Sequence, residues 1–231
     1  MLPNRTWSSV IINGLHIEVI DFADSIIPKS VSRELTNNAY NIDNIEFNEG
    51  DIVIDIGANI GLVSLYLAKR HPNIKIYAYE PIPDNYINFL ENIERNQVKN
   101  IFPRNMAITK DGRTLKMIVN FYNNSGGATA HLADMSLPNH FYYMVPSVIL
   151  DNEFKEHSIK NCKLLKIDCE GTEHEILLST NTLPLIEYLS GEFHINQNLI
   201  SQGYSLEGLI KHCGKYIKKD KMKISNIKMA E

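Results

Sequence analysis

The sequence predicts an α/β fold: a largely parallel sheet covered by helices on both faces. Three observations predict it. Short apolar runs that read as strands alternate with amphipathic runs that read as helices along most of the 231 residues. The buried run Asp51-Ile-Val-Ile-Asp-Ile closes directly on a glycine turn, Gly57-Ala-Asn-Ile-Gly61, that opens a helix. A carboxylate, Glu80, ends the next strand 23 residues beyond Gly57, where an open α/β sheet places an acceptor for ribose hydroxyls.

The elements follow in order. Residues 9–20 flank Asn13-Gly14 with β-rich runs, and this pair is the strongest short signal for a two-residue hairpin turn. Ser30 and Arg33-Glu34 suggest a short capped helix. Residues 1–45 therefore read as an N-terminal hairpin and helix extension, and 46–231 as the main domain. Gly61 to Arg70 carries a helical apolar stripe, residues 73–79 read as a strand, and Asp84 to Asn96 repeats Tyr86, Phe89, Leu90 and Ile93 at helical spacing. Strands are expected at 101–108 and 115–122. Residues 123–146 show no clear period and contain Ser125-Gly-Gly-Ala-Thr129, so they read as a flexible loop or lid. His131, Tyr142 and Tyr143 within it are candidates to line an acceptor pocket, or they decorate the surface. Ser147 to Asp151 and Cys162 to Asp168 return to strand. A helix is expected from Thr172, whose spacing to Glu175 fits a capping box. Ile186 to Phe193 reads as a strand, 206–212 as a helix, and Met222 to Met229 as a terminal hairpin or edge strand.

Composition excludes several classes. Hydrophobic residues make 44% of the chain and charged residues 22%, as in a globular protein. No apolar run reaches the ~20 residues of a membrane span. The start lacks the basic and apolar regions of a secretory signal, and three cysteines fit a reducing compartment, so a cytoplasmic protein is expected. A net charge of −4 argues against nucleic acid as a partner. That charge is uneven. Residues 211–231 hold seven lysines and two acids, a tail of +5 on a body of −9. Lysines interleaved with Met222, Ile224, Ile227 and Met229 suit an edge strand guarded against edge pairing, with docking of an anionic carrier as the alternative.

The glycine turn differs from a dinucleotide fingerprint. Asp55 heads it, and an acid there repels a pyrophosphate but suits a cofactor with a cationic amino group and sulfonium, namely S-adenosylmethionine. Asp55, Gly57, Ala58, Asn59, Gly61, Glu80 and Pro81 are the expected cofactor residues, with Asn105 and Ala107 beside the adenine.

Taken together, Asp55-Ile-Gly-Ala-Asn-Ile-Gly61, Glu80-Pro81, Lys166-Ile-Asp-Cys-Glu-Gly-Thr-Glu173 and Glu192-Phe-His194 resemble the FkbM family of S-adenosylmethionine-dependent methyltransferases. The resemblance runs from about Gly50 to Gly203, and the Lys-Ile-Asp-x-Glu-Gly-x-Glu segment is its most specific part. The spacing of Asn88, Asn92 and Asn96 and the pair Leu150-Asp151 also resemble the family; Cys169 stands where it often has a small aliphatic residue. The resemblance implies a Rossmann-like class I methyltransferase fold with seven strands, mostly parallel with one antiparallel. It implies O-methyl transfer to a hydroxyl of a sugar, glycan or small natural product.

A hydroxyl acceptor needs a base. Asp168 and Glu170 end a strand as paired carboxylates, one a candidate base, and together they are candidate ligands of a divalent metal. His194 ends the next strand and is the histidine expected to face the cleft; the alternative is a satisfied structural residue. Lys166 shares the face of Asp168 and either orients it or pairs within the core. Glu173 either caps a helix start or acts in the site. His174 reads as surface, and Glu192 as facing away from His194. A nucleotide-sugar or dinucleotide enzyme and a non-catalytic cofactor-binding module remain as alternatives. An amino-methylating enzyme is disfavoured, because Asp168-Cys-Glu-Gly stands where that class often has Asn/Asp-Pro-Pro-Tyr.

Overall fold

The computed structural model describes residues 4–120, 124–129, 141–195 and 197–228. The chain opens with β1 (Arg5–Ile12) and β2 (Leu15–Phe22), an antiparallel hairpin in which Ile12 faces Leu15. Asn13 (φ 49°) and Gly14 (φ 83°) make the turn, the positive-φ pair the sequence requires. In α1 (Ile27–Thr36) the helix begins at Ile27, with Pro28 in its first turn, rather than at Ser30, whose hydroxyl instead donates to Glu34 one turn on.

The strand–helix alternation then runs β3 (Ile52–Ile56), α2 (Leu62–Arg70), β4 (Lys75–Tyr79), α3 (Pro83–Asn96) and β5 (Ile101–Arg104). The strand expected over 101–108 is broken at Asn105, and β6 (Ala107–Thr109) leaves the main sheet to pair with a later strand. Next come β7 (Leu115–Asn120), β8 (Asn124–Thr129) and β9 (Phe141–Val145), a three-stranded antiparallel sheet. The 123–146 stretch is thus not irregular throughout; its strands lack a clean period because they pair in a small sheet with a register shift. His131 lies outside the described residues. After β10 (Ser147–Ile149), the partner of β6, comes α4 (Leu150–Glu156), too short at seven residues to show a helical period. The chain ends with β11 (Cys162–Ile167), α5 (Glu173–Ser179), β12 (Ile186–Ile195), α6 (Gln197–Ser201), α7 (Leu206–Cys213) and β13 (Met222–Lys228). The tail forms a parallel edge strand, not a hairpin.

The main sheet has the order β13-β12-β11-β3-β4-β5, and every neighbouring pair is parallel. Among the described residues it therefore has six strands rather than seven, with no antiparallel member. The order reverses between β3 and β11. At such a switch point the loops leaving adjacent strands diverge and open a crevice at the carboxyl ends.

Burial follows the two faces. On one, Val53, Ile76 and Leu164 pack against Leu65, Leu67 and Phe89 of α2 and α3, together with Ile17 and Val19 of the hairpin. On the other, Ile54, Leu165 and Phe193 pack against Phe154, Leu177 and Leu209. The asparagines of α3, one turn apart, explain how the hairpin docks. Asn88 accepts from Arg5, Asn92 bonds the Ile20 backbone and the Ile60 carbonyl, and Asn96 bonds the Glu18 backbone. Among the described residues no helix is long and apolar enough to cross a membrane.

Candidate active site at the strand switch point

β3 delivers its last residues to the crevice. Gly57 (φ 79°) and Ala58 both donate to the Tyr79 carbonyl of β4. A Cβ on Gly57 would stand 1.8 Å from the Asp168 carbonyl oxygen, so the turn after β3 touches the chain leaving β11. Gly61 (φ 85°) has the Phe89 ring where a Cβ would lie, at 2.0 Å. Asn59 is left-handed as well (φ 54°), and its N–H donates to Glu80 Oε2 at 2.8 Å. Glu80 Oε1 accepts from Ile82 N at 2.9 Å. The carboxylate at the end of β4 thus braces the glycine turn, and burial pushes its pKa up to about 7.

A narrow cleft lies beside this turn, lined by Gly57, Pro81, Met106, Ala107, Cys169 and Thr172 among others. Of the expected cofactor residues, Gly57, Pro81 and Ala107 line it directly. Ala58, Asn59, Gly61 and Glu80 build the turn and its brace. Asn105 donates to the Glu80 and Pro81 carbonyls, which fixes the break between β5 and β6. Asp55 is fully buried; Ser64 Oγ donates to it at 2.6 Å and Lys166 Nζ stands 3.2 Å away. Lys166 also donates to the Gly57 carbonyl at 2.8 Å and lies 3.9 Å from Asp168 Oδ2. Burial opposes its charge, but Asp55 and Asp168 outweigh that and hold its pKa above the ordinary value.

A second group gathers around β11 and β12. His194 is buried, with Nδ1 3.0 Å from Glu173 Oε1 and Nε2 3.4 Å from Glu170 Oε2. Burial alone would lower the imidazole pKa; the hydrogen bond and charge of Glu173, with Glu170 and Asp168, push it up to about 9. Glu173 is fully buried and also accepts from the N–H groups of Cys169 and Gly171. The His194 bond keeps its pKa low against the cost of burial. Glu170 is left-handed (φ 57°) and burial raises it to about 7. Burial and the Asp168 charge raise Glu192 to about 7, and burial raises Asp168.

Three expectations need correction. His174 is not at the surface but 1% exposed, between Phe193 and Tyr204. Glu192 shares the face of His194, as residues two apart on a strand must; its carboxylate joins Asp168 and His194 in one cluster. The capping box does not form: Thr172 donates to Cys169 Sγ and Glu175 pairs with Arg113. Tyr40, from the N-terminal extension, had no motif to mark it. It is buried, donates to Glu34, accepts from Ser190 and lies with its ring 5.9 Å from Lys166 Nζ. The thirteen expected site residues therefore fall into a turn-and-cleft group and a carboxylate–imidazole group, joined by Lys166.

A parallel sheet that reverses its order beside a glycine turn, with a cleft at that turn, defines a Rossmann-like class I methyltransferase fold. The chain belongs to the FkbM methyltransferase family, whose members depend on S-adenosylmethionine: the family model for the Methyltransferase FkbM domain matches residues 55–213. It is 28% identical over 185 residues to 31-O-demethyl-FK506 methyltransferase FkbM of Streptomyces tacrolimicus, covering 69% of this chain and 71% of that one. It is 24% identical over 148 residues to Methyltransferase 1 of Beauveria bassiana, covering 57% and 59%. Among solved structures, precorrin-6y C5,15-methyltransferase from Geobacter metallireducens superposes with a TM-score of 0.44 at 11% identity, over 78% of this chain and 71% of that one.

Proposed function

We propose that the protein is an O-methyltransferase that uses S-adenosylmethionine to methylate a hydroxyl of a sugar, glycan or small natural product. The observation that carries this reading is the junction of the two groups: a cleft at the glycine turn whose Cys169 wall is flanked in sequence by Asp168 and Glu170, with His194 3.4 Å from Glu170. The donor set fits the cofactor. Gly57, Ala58, Asn59 and Gly61 form the turn that would take its amino-acid end, with Asp55 buried beneath it, Glu80 would accept its ribose hydroxyls, and Pro81 and Ala107, held by Asn105, border an apolar slot with Met106 and Ile108 for adenine. The bound cofactor supplies an electrophilic methyl group on a sulfonium.

The chain's own residues position the acceptor and take its proton. Holding the two reactants in line supplies much of the acceleration in such a transfer. Asp168 and Glu170 are about one-quarter exposed and open to an acceptor, whereas Glu173 and Asp55 are fully buried. We assign proton acceptance to Glu170, beside His194. Lys166 acts as a positioning residue that ties Asp55 and the Gly57 carbonyl to the strand carrying Asp168. The relative's name, with its O-demethyl acceptor, supports oxygen as the target. We read residues 46–231 as the catalytic domain, 1–45 as an extension packed on it, and the enzyme as cytoplasmic, with no nucleic-acid partner.

Calorimetry with S-adenosylhomocysteine, with NAD as competitor, tests the cofactor. Transfer of labelled methyl from S-adenosylmethionine to a panel of hydroxyl and amine acceptors tests the chemistry. Absence of S-adenosylhomocysteine binding, or labelling of amines alone, would overturn the reading.

A further inference from the structure

Asp168 follows the end of β11, and Glu192 and His194 lie near the end of β12, its parallel neighbour. Each offers one ligand atom, and the three atoms all lie within 4.8 Å of one another. We propose that Asp168, Glu192 and His194 hold a single divalent cation next to Cys169, which lines the cleft. The site itself stands on this geometry; its part in catalysis rests on the methyl-transfer reading above.

The distances suit one coordination sphere. Ligands 2.0–2.6 Å from a cation and on opposite sides of it stand about 4–5 Å apart, so atoms within 4.8 Å can share one ion without moving either strand. Two carboxylates and an imidazole suit an oxygen-preferring ion that also accepts nitrogen, such as Mn²⁺. The imidazole is held in the manner metal-bound histidines require. Its Nδ1 is engaged by Glu173, and Glu173 is itself fixed by the N–H groups of Cys169 and Gly171. That clamp fixes the ring and leaves Nε2, 3.4 Å from Glu170 Oε2, as the nitrogen a cation would take from it.

Among the described residues, Lys166 is the one cation paired with either carboxylate, and it is held mainly elsewhere. Among the described residues, neither Asp168 nor Glu192 accepts a hydrogen bond from a side chain or backbone group. The nearest ammonium, Lys166, lies 3.9 Å from Asp168 but is closer to Asp55 at 3.2 Å and to the Gly57 carbonyl at 2.8 Å. Half-buried carboxylates left side by side repel one another, and a cation between them removes that cost. Glu170 stands beside the cluster rather than in it, which leaves it to take the acceptor's proton while the cation holds the acceptor oxygen.

The test is a titration of the full chain, stripped with EDTA and dialysed, with Mn²⁺ alone, read by the loss of the free-ion electron paramagnetic resonance signal. One site is expected in the wild type, weakened at least tenfold in Glu192→Gln and in Asp168→Asn. Thermal melts without metal check that the variants fold; Glu192 is part-exposed and makes no hydrogen bond, so its variant should melt as the wild type does. No binding at about 1 mM Mn²⁺, the weak end of useful protein sites, overturns the proposal. Equal binding by wild type and both variants also overturns it, as adventitious binding elsewhere. S-adenosylhomocysteine calorimetry on the same samples separates the two readings. Cofactor binding without an Mn²⁺ site removes the cation and leaves the methyltransferase; an Mn²⁺ site without cofactor binding does the reverse.

Discussion

Glu173 and His194 form a buried carboxylate–imidazole pair, Oε1 to Nδ1 at 3.0 Å, at the centre of the candidate site. Two backbone N–H groups converge on the same carboxylate, so the turn after β11 and the end of β12 are locked through one side chain. Glu173→Ala strands the imidazole and both N–H groups, and should cost about 3–5 kcal/mol. Glu173→Gln keeps an acceptor of the same shape and loses the charge, for about 1.5–3 kcal/mol. Urea unfolding of the three proteins checks the order. Two variants as stable as the wild type would show that the pair contributes nothing to the fold.

Lys166 and Asp55 pose a different question, since Lys166 is both a candidate catalytic group and the counter-ion of a fully buried acid. Lys166→Met leaves Asp55 uncompensated and should destabilise by about 3–5 kcal/mol. Adding Asp55→Asn removes the orphaned charge, so the double variant should recover more than half of that loss. If the double variant is as unstable as the sum of the single ones, the residues are not coupled and the positioning role of Lys166 fails.

These pairs mark where the sequence is legible and where it is not. The Asn13-Gly14 turn, the strand–helix alternation and the glycine turn depend on residues close in the chain, and all are in place. Glu192 beside His194 was also readable, because a period of two puts residues two apart on one face. The burial of His174 was not. It is decided by Phe193 and Tyr204, which arrive from other elements, and locally the residue sits on a helix turn like any surface position. Lys166 reaches Asp55 across the sheet, 111 positions apart. The strands β8 and β9 and the helix α4 were missed because short elements in small sheets and two-turn helices carry too few residues to display a period.

Glu80 gives the cofactor site a pH dependence. Burial raises its pKa to about 7, and ribose hydroxyls donate to its ionised form. Below pH 7 the free protein holds a proton that the ligand must displace. S-adenosylhomocysteine affinity should therefore fall as pH drops through 7, by up to about tenfold per unit. Stability runs the other way: a carboxyl raised by folding favours the native state below its ordinary value of 4.5 and loses that contribution as pH rises to about 7. Glu80→Gln should bind about 10–100-fold more weakly with a flat profile between pH 5.5 and 8. A variant that keeps the wild-type slope would move the titration to another group.

His174 is a polar cost in the core. It is 1% exposed, and among the described residues neither ring nitrogen has a hydrogen-bond partner. The edges of Phe193 and Tyr204 face it at 6.3 and 5.6 Å between ring centres. Burial lowers its pKa from the ordinary 6.5, so the folded state refuses a proton that the unfolded chain accepts. Above pH 6.5 both states are neutral at this residue and stability is unaffected. As pH falls below 6.5 the unfolded state gains the proton first, and stability declines until the folded pKa is reached. His174→Leu removes both the unpaired nitrogens and the titration. It should raise stability at pH 7.5 by about 1–3 kcal/mol and flatten the loss between pH 6.5 and 5. Urea midpoints of wild type and variant across that range measure both effects. A variant that is less stable at pH 7.5 and declines as steeply would mean the ring is held by contacts worth more than its unmet polarity.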